Sequence, residues 1–123
     1  MIGLGVDLVD VDRFRRALAR TPALTTRIFT PSERSYAETA SDPTERYAVR
    51  FAAKEAVMKA LGVGLGAIDW HDVEVRRASS GAPSLWVAGR AAALAEDAGI
   101  RCWLVSLSHT ASTAEAVVIA VGS

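Results

Sequence analysis

Apolar residues recur along the chain at two spacings, which predict short strands separated by helices. Runs rich in Val, Ile and Leu, or alternating with polar residues, predict strands at residues 2–9, 71–77, 83–88, 101–108 and 114–121. Helical spacing predicts helices at residues 11–20, 31–40, 44–61 and 89–98. The order β-α-α-α-β-β-α-β-β favours an α+β domain with mainly antiparallel pairing and helices on one face of the sheet.

Capping residues mark the ends of several predicted helices. Asp10 can cap the first helix, and Thr30 with Glu33 carries the signature of a capping box at the second. The segment 42–45 (Asp-Pro-Thr-Glu) repeats that signature before the long helix, and Gly62 fits its C-terminal cap. These signals predict where the helices begin and end.

The predicted long helix, residues 44–61, is apolar on nearly every side yet carries charge in its second half. Glu55 and Lys59 fall close together on a helical wheel that turns about 100° per residue, and Arg50 and Lys54 lie among small apolar residues. Such a helix is normally buried, and buried charge is costly unless it is paired or binds an ion. These residues therefore either pair among themselves or bind a charged ligand.

Size and composition narrow the class of protein. The 123 residues are enough for one domain, residues 1–123, with its own core. A formal net charge of zero gives no overall attraction to nucleic acid or to a membrane surface, and no apolar run approaches the ~18 residues of a membrane span. The single cysteine, Cys102, excludes an intrachain disulfide and is expected to fill the core. Without a signal-peptide pattern at the N-terminus, we expect a cytoplasmic protein.

Charged residues on three predicted elements are candidates for catalysis or ligand binding. Asp7 lies in the first strand, Glu55 in the long helix, and His109 after the strand at 101–108. Two carboxylates from different elements can share a Mg²⁺ ion that fills its shell with water and substrate phosphate. Phosphate contacts would come from nearby cationic side chains, Arg50, Lys54, Lys59 and His109. Together these residues indicate a metal and a polyphosphate ligand.

Each of these signals also has an ordinary structural explanation. Asp7 could pair with an arginine, and Glu55 with Lys59 forms an i,i+4 pair that is common on solvated helices. The glycine-rich turn GVGLG, residues 62–66, would let a ligand approach the backbone, but it lacks the Lys-Ser or Lys-Thr of a P-loop. A histidine in a hairpin turn is usually a surface residue. The residues alone leave both explanations open.

Five segments, in this order, carry a family signal: GLGVDLVDVDRF from Gly3, FTPSE from Phe29, RFAAKEAVMKALGVG from Arg50, SGAP from Ser80, and VSLSHT from Val105. In their order and spacing the chain resembles the holo-acyl-carrier-protein synthases, the small trimeric type of 4′-phosphopantetheinyl transferase. The resemblance covers essentially the whole length. It implies the fold of that family, in which a mainly antiparallel sheet packs against a long central helix, and a homotrimer with active sites at the subunit interfaces.

The resemblance also implies a reaction. The 4′-phosphopantetheine arm of coenzyme A would pass to a serine of an apo acyl carrier protein, leaving adenosine 3′,5′-bisphosphate, in fatty acid or polyketide biosynthesis. Mg²⁺, with Mn²⁺ as an alternative, would bind Asp7 and Glu55, and Lys59 would join them in catalysis. The base would be Glu55 or a metal-bound water that Glu55 orients. Which carrier proteins are served is left open.

Ligand contacts follow from the same resemblance. The implied coenzyme A contacts are Arg50, Lys54, Lys59, Gly62, Gly64, Pro83 and His109. Of these, Arg50 and His109 would bind the nucleotide end with its 3′-phosphate, and Pro83 would pack near adenine from the neighbouring subunit. The acidic carrier protein would bind the basic side of the first helix, at Arg13, Arg16 and Arg20, although such arginines often form only a solvated face.

The chain departs from the family pattern at three positions. Val63 stands where Thr is frequent, Ala82 where Lys often precedes the hairpin proline, and Thr113 where an aromatic residue is frequent. These departures affect ligand contacts rather than the reaction. Two alternatives stay open: a non-catalytic module that binds carrier protein or nucleotide on the same scaffold, and a Mg²⁺-dependent nucleotide hydrolase.

Overall fold

The strands of this protein form two separate antiparallel sheets. The computed structural model describes residues 1–122, and its elements in chain order are β1 (Gly3–Asp10), α1 (Val11–Arg20), α2 (Leu24–Ile28), α3 (Pro31–Ala37), α4 (Thr44–Leu61), a 3₁₀ turn (Trp70–Asp72), β2 (Val73–Arg77), β3 (Pro83–Val87), α5 (Gly89–Asp97), β4 (Cys102–His109) and β5 (Thr113–Val121). The larger sheet has the order β1-β5-β4, and β2 pairs with β3 as a hairpin. The α+β class with antiparallel pairing is confirmed, but the hairpin is not part of the main sheet.

Helix α4 packs closely on the inner face of the larger sheet. The residues of β5 that face it are small, with Ala116 and Val118 fully buried. On β1, a Cβ atom at Gly5 would overlap the carbonyl oxygen of Ala56, and one at Gly3 would overlap that of Ala60. Glycine at these two positions therefore allows a close approach of helix and strand that any larger residue would prevent.

Aromatic side chains fill the core on the other side of α4. The ring of Phe51 lies 5.1 Å from that of Phe14 on α1 and 5.3 Å from that of Trp70 in the 3₁₀ turn, measured between centroids. Phe29, which follows α2, lies 4.6 Å from Tyr47. These contacts hold α1, α2 and the 3₁₀ turn against the long helix.

The predicted helix ends are mostly confirmed. Asp10 accepts a hydrogen bond from the Arg13 amide (2.9 Å), Thr30 and Glu33 form the capping box, and Gly62 ends α4 with a φ of 73°. The start of α4 differs, because Asp42 accepts from the Thr44 amide without a reciprocal capping box.

Three further predictions are corrected. The helix predicted to reach residue 40 ends at Ala37, and residues 71 and 72 belong to the 3₁₀ turn rather than to a strand. The carboxylates of Asp69 and Asp72 cause that turn, because each accepts a hydrogen bond from a nearby backbone amide. Cys102 is exposed rather than buried, since it lies on the outer face of the edge strand β4.

The outer face of the larger sheet is apolar and uncovered in the single chain. Its exposed residues are Leu4, Val6 and Leu8 on β1 and Leu104 on β4. A sheet face of this kind normally packs against another layer. Within residues 1–122, none of the helices has both the length and the apolar character needed to cross a membrane.

Candidate active site

Asp7 and the second half of α4 meet at the glycine-lined contact between β1 and the helix. Asp7 follows Gly5 on the inward face of β1, and its side chain is only 16% exposed. The ammonium group of Lys59 donates to Asp7 Oδ1 (3.1 Å) and to the carbonyl oxygen of Val6 (2.8 Å). The close packing at Gly5 therefore places an acidic strand residue beside the charged face of α4.

Glu55 lies near Asp7 and Lys59, and the charges of both residues affect its pKa. Its pKa is raised, first by burial and then by the nearby charge of Asp7, while Lys59 acts in the opposite direction. Asp7 and Glu55 both line a cavity of about 440 Å³, whose apolar wall includes Phe14 and Phe51. The charge of Asp7 thus disfavours the ionised form of Glu55, and a cation bound in this cavity would offset that repulsion.

The donor set fits a hard divalent cation. Carboxylate oxygens are preferred ligands of Mg²⁺, which commonly takes one or two of them from the protein. Within residues 1–122 no cluster of three or more Asp, Glu, His or Cys side chains forms a candidate metal site. Asp7 and Glu55 therefore suit an ion completed by water and substrate oxygens, rather than a structural metal enclosed by protein.

A second cavity, of about 480 Å³, brings together three residues expected at the nucleotide end of coenzyme A. Arg50, Pro83 and His109 all line it. His109 Nδ1 lies 3.4 Å from the carboxylate of Glu45. Arg50 is 4% exposed, and its Nε is a buried donor without a hydrogen-bond partner among residues 1–122. A buried, unpaired guanidinium nitrogen costs free energy unless a ligand accepts from it.

The two cavities are separate within the chain. No residue lines both the cavity of Asp7 and Glu55 and the cavity of Arg50 and His109. The predicted site residues thus form two groups, one around Asp7 and Glu55 and one around Arg50 and His109.

Lys54 does not belong to either group, which corrects its expected phosphate contact. Its side chain is 1% exposed, and its ammonium group lies 2.8 Å from Glu33 Oε1 and donates to the carbonyl oxygens of Trp70 and Val73. Burial lowers the pKa of Lys54, while Glu33 raises it. All three N–H groups thus have protein partners. Lys54 is a structural residue in this fold.

Gly62 and Gly64 follow α4 in the exposed turn. A Cβ atom at either position would meet nothing within 4 Å, so the backbone there is open to a ligand. Leu65, next in the turn, is 78% exposed. The turn has the room that the predicted ligand contact requires.

One of the basic residues of α1 lines the cavity of Asp7 and Glu55. Arg13, Arg16 and Arg20 are exposed, and Arg13 lines the cavity together with Asp7 and Glu55. The intervening Arg15 instead pairs with Asp12 and Asp42.

Some residues that shape the site were not predicted. Glu33 was assigned only to a helix cap, although its two oxygens also bind Lys54 and the Val75 amide. Gly3 and Gly5 could have been recognised, since glycines two residues apart in a strand face the same side. Tyr36, which lines the cavity of Arg50 and His109, carries no local sequence signal of this position.

Comparisons with known proteins identify the class. The model of the 4′-phosphopantetheinyl transferase superfamily matches residues 3–121, and the chain belongs to this family. The resemblance to holo-acyl-carrier-protein synthases is confirmed as well. The holo-[acyl-carrier-protein] synthase of Frankia alni is 49% identical over 120 residues, which cover 98% of this chain and 97% of that protein.

Comparison with solved structures supports the same family assignment. The crystal structure of holo-[acyl-carrier-protein] synthase from Neisseria meningitidis has a TM-score of 0.88 and 32% identity, covering 98% of each chain. A holo-(acyl-carrier-protein) synthase from Bacillus anthracis, solved in complex with CoA (3′,5′-ADP), has a TM-score of 0.83 and 32% identity over 99% of this chain and 97% of that one. The protein is therefore an enzyme of the phosphopantetheinyl transferase class.

Proposed function

We propose that this enzyme transfers 4′-phosphopantetheine from coenzyme A to a serine of an apo acyl carrier protein and releases adenosine 3′,5′-bisphosphate. The observation that carries this proposal is the pair of carboxylates, Asp7 and Glu55, which line one cavity where β1 meets α4 with Lys59 bound to Asp7. The similarity to holo-[acyl-carrier-protein] synthases, and the coenzyme A complex of the Bacillus anthracis protein, support the proposed substrates. Fatty acid or polyketide carrier proteins are the proposed partners.

Asp7 and Glu55 would hold the metal ion, for which Mg²⁺ is proposed and Mn²⁺ is an alternative. When bound, the ion supplies positive charge that stabilises the oxygens of the coenzyme A diphosphate. Lys59, whose side chain is 52% exposed, can reach solvent and so a phosphate oxygen.

Glu55, directly or through a water that it orients, is the proposed general base. The serine oxygen would bond to the β-phosphorus of coenzyme A, and the bond from that phosphorus to the bridging oxygen would break. The bisphosphate would leave with the electron pair, and the serine proton would pass to Glu55. Glu55 lines the same cavity as Asp7, which places its carboxylate beside the proposed metal site.

We propose a homotrimer with sites at its interfaces. The apolar outer face of the sheet, which includes Leu4, Val6 and Leu8, supports burial against other subunits. The separation of the two cavities also supports this arrangement, because coenzyme A could then contact the carboxylates of one subunit and Arg50 and His109 of another. Analytical ultracentrifugation tests it, and a monomer at micromolar concentration would count against it.

Incubation with apo acyl carrier protein, coenzyme A and Mg²⁺, followed by mass spectrometry, tests the function. A carrier mass gain of one phosphopantetheine supports transfer. Coenzyme A cleavage without that gain would indicate a hydrolase, and neither change would indicate a non-catalytic binding module. A carrier whose acceptor serine is replaced by alanine is the matched control.

A further inference from the structure

Three arginines surround the ring of Tyr36. The guanidinium carbons of Arg46 and Arg50 on α4 lie 4.2 and 4.6 Å from the ring centroid, and that of Arg77 at the end of β2 lies 4.3 Å from it. Stacking on an aromatic ring orients a guanidinium group and leaves N–H groups at its edge for other partners. The ring therefore gathers three positive charges in a small volume.

No carboxylate among the described residues forms a direct ion pair with these arginines, although Glu33 acts on Arg50 electrostatically and Asp42 and Glu45 line the same cavity. Among residues 1–122, none of the three arginines forms an ion pair. The nearby carboxylates contact other side chains: Asp42 contacts Arg15, Glu45 contacts His109, Glu33 contacts Lys54, and Glu74 contacts Arg76. Clustered like charges that lack direct ion pairs repel one another, and a bound anion would reduce that repulsion.

The three arginines also retain N–H groups that make no hydrogen bond within residues 1–122. Arg46 donates to the carbonyl oxygen of Tyr36 and to Thr39, and Arg50 donates one bond to the carbonyl oxygen of Arg46. Arg50 Nε is buried without a partner, although the residue is only 4% exposed. Arg77 makes no side-chain hydrogen bond among residues 1–122.

The space beside the cluster can hold a phosphate. All three arginines and Tyr36 line the cavity of about 480 Å³ that also contains His109. Gly81, in the turn of the hairpin, lines it too, and a Cβ atom there would lie 3.3 Å from Nη2 of Arg77. Glycine at this position leaves room for the Arg77 guanidinium.

We propose that Arg77 and Arg46, beside Arg50 and His109 in the same cavity, also contact the 3′-phosphate monoester of coenzyme A, and that Arg77 strengthens the preference for the 3′-phosphorylated nucleotide. The inference rests on the proposed function. A phosphate monoester carries between one and two negative charges near neutral pH, which matches a cluster of guanidinium groups. Arg77 thereby provides positive charge in the hairpin, where Ala82 provides none.

Calorimetric titration of the purified enzyme with two nucleotides tests this assignment. Adenosine 3′,5′-bisphosphate carries the 3′-phosphate, and adenosine 5′-monophosphate lacks it. We expect Arg77→Ala to weaken binding of the bisphosphate by about tenfold or more, since a charge-assisted contact is lost. Binding of the monophosphate should change by less than about twofold. Arg77→Lys, which retains the charge, should recover part of the loss.

Arg76→Ala is the matched control. It removes the same charge from the neighbouring position, but Arg76 already pairs with Glu74 (2.7 Å) and stacks on Trp86. This variant should bind both nucleotides as the unmodified protein does. Circular dichroism would confirm that each variant is folded, as expected for substitutions at exposed positions.

Several outcomes would overturn the inference. Equal weakening of both nucleotides by Arg77→Ala would show a general electrostatic or structural effect, and no weakening would show that Arg77 does not contact the ligand. Unmodified enzyme that binds the two nucleotides equally would overturn it as well. Bisphosphate-selective binding without transfer to any carrier protein would instead refute the proposed function and leave the anion site standing.

Discussion

Lys54 and Glu33 form an ion pair that is almost completely removed from solvent, with Nζ 2.8 Å from Oε1 and side-chain exposures of 1% and 0%. The pair also binds the edge of β2 that does not face β3. Lys54 donates to the carbonyl oxygen of Val73, and Glu33 Oε2 accepts from the Val75 amide. Charged side chains thus satisfy backbone groups that a third strand would otherwise pair. They attach the hairpin that carries Arg77 to α3 and α4.

Replacing Lys54 with Met should destabilise the protein by about 3–5 kcal/mol, because Glu33 would remain buried without its counter-charge. Urea unfolding measures this loss. Adding Glu33→Gln removes the second charge, so the double variant should be more stable than Lys54→Met alone. Lys59→Met is the control, because the pair of Lys59 with Asp7 is half exposed on the lysine side and is expected to contribute only ~0–1 kcal/mol. A Lys54→Met variant as stable as the unmodified protein would refute the structural role.

The two lysines of α4 show what could be predicted from the sequence. Periodicity and capping residues are local, so they predicted the strands, the long helix and the burial of that helix. Lys54 and Lys59 lie in the same helix and carry the same charge, but their roles differ because one faces Glu33 and the other faces Asp7. Which element covers each side of a helix depends on contacts between residues far apart in the chain.

One of the contacts of Glu33 was likewise not predictable from local sequence patterns. Its place in a capping box was predicted and is confirmed, and that role gave the carboxylate a sufficient explanation. One oxygen accepts from the Thr30 amide, while the other reaches the Val75 amide, 42 residues away in sequence. No local pattern predicts this second contact. Asp7 and Glu55, by contrast, were predicted as a pair because both belong to segments typical of the family.

Glu55→Gln should decrease transfer and increase stability at neutral pH. Loss of a general base typically decreases kcat/KM by about 10²–10⁴-fold. The folded protein raises the pKa of Glu55 above its ordinary value of 4.5, so it holds this proton more tightly than the unfolded chain does. The stability that Glu55 contributes is therefore fully present below that ordinary value and is lost as the pH rises through the raised value.

Without divalent cations, the Gln variant should consequently melt at a higher temperature than the unmodified protein at neutral pH, with a difference that shrinks toward about pH 4. Thermal unfolding in a chelator across this range measures the effect. Glu96→Gln, at an exposed position on α5, should show no such pH-dependent difference. A Gln variant that is less stable at neutral pH, or that turns over normally, would contradict the role given to Glu55.

Mg²⁺ should stabilise the protein through Asp7 and Glu55. A ligand that binds only the folded state at 100 times its dissociation constant adds about 2.7 kcal/mol, so the melting temperature should rise with Mg²⁺ concentration. Asp7→Asn and Glu55→Gln should each remove most of this rise. If both variants respond to Mg²⁺ as the unmodified protein does, the ion binds elsewhere.

Gly5→Ala should impair both folding and transfer. The added methyl group would overlap the carbonyl oxygen of Ala56, so β1 and α4 must separate, at a cost of about 1–3 kcal/mol or more. The separation would also move Asp7 away from Glu55 and weaken the Mg²⁺ response. Gly64→Ala is the stability control, since its methyl group would meet nothing within 4 Å. Equal stability of the two variants in urea would show that β1 does not need glycine here.

Arg13→Glu should slow association with the acidic carrier protein, because Arg13 is exposed on α1 and lines the cavity of Asp7 and Glu55. Charged surfaces accelerate encounter through long-range attraction, which salt screens over about 10 Å at 0.1 M. The association rate of the variant should therefore fall most at low ionic strength and approach that of the unmodified enzyme at high salt. Stopped-flow or surface plasmon resonance measurements would show this convergence. Arg90→Glu reverses a charge that is also exposed, on α5, and should leave the rate unchanged. A defect of the same size at every salt concentration would mean that Arg13 shapes the site rather than attracts the carrier.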